Sequence, residues 1–168
     1  MINSILRYIL VFIILILIQI LVLNNIQFSG YVNPYIYIMM ILLLPVEISP
    51  LVLLVVSFLT GLTVDFFTGS TGMHAGATVF AGFVRPYILR ILAPRDGYEP
   101  GARPSMAAYG FRWFFIYSLV IVSVHHFVLF YLEVFRFEGF FRTLLRIVLS
   151  TVFTLAIILL AEFYRKRK

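Results

Sequence analysis

Apolar residues run along this chain in long blocks broken by short polar punctuation. The blocks fall at residues 5–23, 35–46, 51–67, 73–92, 113–131 and 144–163. About 20 residues of helix cross a bilayer core, and all but the second block approach that length. The second ends near Pro45, Glu47 and Pro50, and it crosses only where loop ends help or the bilayer thins locally. The pattern predicts an all-α integral membrane protein, with about six transmembrane helices in a compact bundle and one domain over residues 1–168. Five spans are the alternative, with residues 35–59 as one bent helix. The first block is long for a signal peptide, and Asn24-Asn25-Ile26 offers no small-residue cleavage site, so it reads as a retained anchor. Gln19, its one strongly polar interior residue, is expected to face another helix.

Composition agrees with the pattern. Hydrophobic residues make up 62% of the 168 and charged residues 12%, against about 25% charged in soluble domains. So much apolar surface needs lipid as its solvent. With no cysteine there is no disulfide, thiolate nucleophile or cysteine metal site. The net charge of +6 does not indicate nucleic acid, because the basic residues lie at span ends and in loops.

Charge also sets the orientation. The tail Arg165-Lys166-Arg167-Lys168 anchors the C-terminus in the cytoplasm by the positive-inside rule. The loop 93–112, with Arg95, Arg103 and Arg112, then faces the same side, and the segment 65–74 faces outward. The Pro and Gly content of that loop argues against a folded domain and for a partner-facing or solvated connector. Glu138, Arg142 and Arg146 stand at i,i+4 spacing, which suits an ion-paired start to the last span or, more simply, a helix end at the headgroup level.

The polar positions inside the blocks carry the functional question. An ionisable side chain at mid-membrane costs about 2.5–3.5 kcal/mol, so Asp65 is a candidate by default. Ser57, Gly61 and Asp65 recur every four residues and share one helix face. Gly72 and Gly76, and Ala77 and Ala81, repeat small-residue spacing on the next helix, where small residues let backbones approach in lipid. The two helices are therefore expected to form a tight antiparallel hairpin, turned by Gly69 and Gly72. Two roles are open to Asp65. It caps or pins the hairpin, through backbone N–H groups of the turn or by pairing with His74, or else it lines a pocket or docking groove with His74. Such a groove would suit a partner's membrane helix.

Arg85 lies about 18 Å along the helix from Met73 and so is no direct partner for Asp65. Snorkelling to the cytoplasmic headgroups is its expected state, beside a kink at Pro86, with a bound lipid phosphate or a partner carboxylate as the sharper alternative. His125 and His126 are adjacent, so they point about 100° apart on a helix and do not suit one metal ion. Gly69-Ser70-Thr71-Gly72 has its serine at the wrong position for an intramembrane serine protease, and aspartyl proteolysis needs two membrane aspartates. The reading is a non-enzymatic protein without cofactor or metal.

The run Phe58-Leu59-Thr60-Gly61-Leu62-Thr63-Val64-Asp65, followed by Gly69, Gly72, Met73, His74 and Ala75, resembles the bacterial rod shape-determining protein MreD family. Its members share a G-x-x-x-D helix end, a short glycine-bearing turn and a similar helix start; length, span number and basic C-terminus also agree. The residue-level match covers about 25–30 residues, and elsewhere only length and hydropathy agree. The resemblance implies an inner-membrane subunit of the cell-wall elongation machinery. Its expected partners are the single-span scaffold MreC, a RodA-type glycosyltransferase with its penicillin-binding transpeptidase, and MreB filaments at the cytoplasmic face. It marks Gly61, Asp65, Gly69, Gly72, His74 and Ala75. The fold it implies is similar to the substrate-binding subunits of energy-coupling-factor vitamin transporters. That similarity supplies an alternative function, a small-molecule-binding membrane subunit with a pocket near the outer face.

Overall fold

A computed structural model describes residues 2–25, 32–134 and 140–166. Among these there is no strand, and the helices are α1 (Ile2–Leu21), α2 (Met39–Leu43), α3 (Pro50–Thr68), α4 (Met73–Ile91), α5 (Met106–Val134) and α6 (Phe140–Lys166). Short 3-10 turns cover Leu23–Asn25 and Ile36–Ile38. Four of the stretches, Ile5–Asn25, Pro50–Thr68, Met106–Val134 and Phe140–Arg165, are long and apolar enough to cross a membrane. The protein is thus an all-α, membrane-embedded, multi-pass chain. α4 equals α3 in length but carries Arg85 and Arg90, which lower its apolar content.

Local chemistry explains the element ends. Pro50 opens α3, where its missing N–H costs no helical bond. Gly69, at φ 68°, closes α3 with its N–H on the Asp65 carbonyl, and Gly72, at φ 82°, precedes α4. Both need the left-handed conformation that glycine adopts without strain. α5 is interrupted at Gly110, also at positive φ, so a short turn of helix precedes the long one.

The segment expected as the second span takes another form. Its helical part, residues 36–43, is only about 12 Å long, and residues 34–44 are all buried in the bundle. Uniform apolarity suits the interior of a bundle as well as a lipid-facing helix. The contacts of this segment order it end to end. Asn33 and Tyr35 meet Ser150 and Thr154 of α6, Tyr37 meets His74 and His125, Leu42 meets Tyr117, and Leu44 meets Arg85. Val46 then donates to the Ala102 carbonyl, 2.9 Å away, in the 93–105 loop. The chain therefore threads its own core, from the end holding the Gly69–Gly72 turn (the turn end) to the end holding the 93–105 loop (the loop end).

That loop is docked rather than free. Gly101 N–H reaches Glu47 at 3.2 Å, and Tyr98 donates to the Leu89 carbonyl at 2.6 Å. Burial pushes the Tyr98 phenol up to about 12, so it stays a donor at neutral pH. Trp113 Nε1 donates to the Leu92 carbonyl at 2.7 Å. Together the two aromatic side chains close the C-terminal end of α4.

Candidate functional site

The α3–α4 hairpin is built around the absence of side chains. A Cβ on Gly61 would fall 2.5 Å from both the Ala75 Cα and the His74 carbonyl oxygen. α3 therefore touches the first turn of α4 through main chain. Lower in the hairpin a Cβ on Gly82 would collide with Ser57 Oγ, which itself donates to the Leu53 carbonyl at 2.7 Å. Ala75 and Gly82 are thus small residues of α4 that meet α3. Gly76, expected on this face, is exposed and turned toward Leu132 of α5.

This approach sets Asp65 on the N-terminus of α4. Its Oδ1 accepts from His74 N–H at 3.0 Å and from the Ser70 hydroxyl at 2.5 Å, and its Oδ2 accepts from Ala75 N–H at 2.8 Å. The first N–H groups of a helix have no partner within it, and the helix dipole favours an anion there. Buried as His74 and Ala75 are, no water substitutes for such a partner. Asp65, only 2% exposed, therefore caps α4 from the preceding helix. Of the roles open to it, pairing with the His74 ring is not the one adopted.

The His74 ring turns inward instead. Its Nδ1 lies 2.9 Å from the Tyr37 hydroxyl, which is also 2.7 Å from His125 Nε2. A phenol carries one proton, so it donates to one ring and accepts N–H from the other. His126 points elsewhere, with Nδ1 2.8 Å from the Val122 carbonyl and Nε2 3.2 Å from Thr154 Oγ1. Among the described residues no cluster of three or more His, Cys, Asp or Glu could hold a metal ion.

Beside the hairpin, at the turn end, lies a cavity of about 480 Å³. Its walls include Asn24, Asn33, Ser70, His74 and an ion pair between Glu133 and Arg146 at 2.6 Å. The Arg146 guanidinium also lies 4.3 Å from the Phe130 ring centroid. Glu138, expected in the ion-paired start of the last span, lies outside the described residues.

Arg85 corrects the expectation of snorkelling. It is 0% exposed. Its Nε donates to the Tyr117 hydroxyl at 2.8 Å, and Nη2 donates to the carbonyls of Leu44 and, at 3.2 Å, Pro45. These carbonyls end the interior segment, where a cation also complements the helix dipole. At the other end of that segment Gln19 donates to the Pro34 carbonyl at 3.2 Å and accepts from Ile36 N–H at 2.8 Å. Arg85 is thus a buried helix-end ligand, and its Nη1 is buried without a hydrogen-bond partner.

The structure therefore joins Ser57, Gly61, Asp65 and the backbone of His74 in one contact. It places Gly69 and Gly72 in the exposed turn, and leaves Gly76 and Arg85 outside the group. Sequence reasoning missed Glu162, which is 1% exposed and accepts from Met106 N–H at 2.9 Å, capping α5 as Asp65 caps α4. A lone carboxylate inside an apolar run was the available signal, the same that marks Asp65. No family model, curated protein or solved structure matches the chain.

Proposed function

We propose that the protein is a non-enzymatic, six-span subunit of the bacterial inner membrane, with its C-terminus in the cytoplasm. It would serve cell-wall elongation by binding and positioning an MreC-like scaffold, a RodA-type glycosyltransferase and its penicillin-binding transpeptidase, with MreB filaments on the cytoplasmic side. The basis is the resemblance of residues 58–75 to the MreD family. One structural observation supports it: the Asp65 carboxylate already accepts three hydrogen bonds from its own hairpin. The most acidic point of the motif is thus spent on shape. What the hairpin presents outward is apolar, with Phe66 82% and Phe67 58% exposed beside the rigid turn. On this reading the fixed turn and its exposed aromatic residues would be the surface that meets another membrane protein.

The test is purification from native membranes with co-purifying proteins identified by mass spectrometry. A single-span scaffold and wall synthases are expected, and Phe66→Ala/Phe67→Ala should weaken their recovery at unchanged protein level. Recovery of a transport ATPase in their place would contradict the proposal.

The second reading, a vitamin-type binding subunit of an energy-coupling-factor-like transporter, draws support from the polar cavity at the turn end. Its volume lies within the range of about 300–1,000 Å³ usual for small-molecule sites. The same purification separates the two readings.

A further inference from the structure

At the loop end, a cavity of about 230 Å³ is lined by Arg7, Arg103, Ser105, Ala107, Glu162 and Arg165. Glu162 is the buried member. Its Oε1 accepts from Met106 N–H at 2.9 Å and from Arg165 at 2.7 Å. Its Oε2 is buried and has no hydrogen-bond partner. An ionised oxygen in that state requires a donor. Arg165 is committed to Oε1 and to the Pro104 carbonyl, at 3.4 Å. Arg7 is exposed, and Arg103 rests its guanidinium 5.6 Å from the Tyr8 ring centroid, which leaves its N–H edge for an anion.

The cavity thus pairs one buried acceptor with two available cations. A bare anion would leave Oε2 unpaired and would meet the Glu162 charge. A quaternary ammonium has no N–H to donate. The complement is a primary ammonium joined to a phosphate.

A second feature supplies the rest of such a molecule. Between α1 and α3 runs a groove of about 450 Å³, walled by side chains such as Ile5, Phe12, Leu44, Val52 and Val56. Tyr8 links the two features: its ring lines the groove, and the guanidinium of Arg103, which lines the cavity, lies over that ring. An apolar groove beside a headgroup-sized cavity that carries charged side chains fits an acyl chain better than a soluble ligand.

We infer that the loop end binds an aminophospholipid of the phosphatidylethanolamine class, its ammonium on Glu162 Oε2, its phosphate at Arg7 and Arg103, and an acyl chain between α1 and α3. The test is native mass spectrometry of the full chain in detergent with a series of one acyl composition: phosphatidylethanolamine, its N-methyl and N,N-dimethyl forms, phosphatidylcholine and phosphatidylglycerol. Retention should persist while one N–H remains and fall about tenfold, the equivalent of 1.4 kcal/mol, at phosphatidylcholine. Phosphatidylglycerol should bind no better than phosphatidylcholine. Arg7→Ala should weaken every member of the series without removing the step between the dimethyl form and phosphatidylcholine, whereas Glu162→Gln should remove the step. The lipid series alone decides the matter if Glu162→Gln fails to fold. No step at phosphatidylcholine, or preference for phosphatidylglycerol, overturns the inference. Full displacement by soluble phosphoethanolamine would overturn the acyl-chain assignment.

Discussion

Single residues in this protein do at a distance what capping residues elsewhere do locally. Asp65 closes α4 from α3, Glu162 closes α5 from α6, and Gln19 and Arg85 close the two ends of the interior segment. The physical reason is shared: these helix ends are buried in the bundle away from water, so their orphan backbone groups take side chains from neighbouring elements. Arg85→Met would leave the Leu44 and Pro45 carbonyls and the Tyr117 hydroxyl short of a donor. A loss of about 2–4 kcal/mol is expected, read as a lower thermal midpoint of the protein in nanodiscs. Arg85→Lys should recover part of it, keeping the charge but not the fork. An unchanged midpoint in Arg85→Met would show that the capping bonds do not carry stability. Asp65 was legible in the sequence because its small-residue neighbours announced a packed face. Arg85 was not, because the carbonyls it serves lie some forty positions back in the chain and nothing near Arg85 signals them.

Elements show the same division. The bounds of α3 and α4 were readable from Pro50, Gly69 and Gly72, since each residue's backbone preference acts where it stands. The interior segment was not, because an apolar run does not say whether lipid or protein surrounds it. Nor was the facing of α4 read fully: spacing alone put Gly76 against α3, whereas Ala75 and Gly82 occupy that contact. Substitution separates the glycines. Gly61→Ala should destabilise the hairpin and lower accumulation in the membrane, because backbone lies where the methyl would go. Gly76→Ala meets only Leu132 Cδ1 at 3.5 Å and should be neutral, or stabilising by up to about 1 kcal/mol through helix propensity. Equal effects of the two, in thermal unfolding of the purified variants, would contradict the close approach at Gly61.

At the scale of the molecule the chain alternates between two ends. The turn end holds the Gly69–Gly72 turn and the polar cavity, and the loop end holds residues 93–105 together with Arg7 and Arg165. On the proposed reading, the positive-inside pattern would put the loop end in the cytoplasm. The chain has no native cysteine, which makes the assignment simple to test. Thr71→Cys should react with an impermeant maleimide on intact spheroplasts, and Arg95→Cys only after the membrane is opened. Labelling of Arg95→Cys from outside would invert the proposed orientation.

That the buried polar side chains serve to close helix ends is tested most directly by residue-resolved hydrogen–deuterium exchange on the protein in nanodiscs, comparing native chain with Asp65→Ala. Loss of the carboxylate should raise exchange at the His74 and Ala75 amides by about tenfold, while the Ile36 amide, held by Gln19, keeps its protection. Unchanged protection at His74 and Ala75 would contradict the capping role of Asp65.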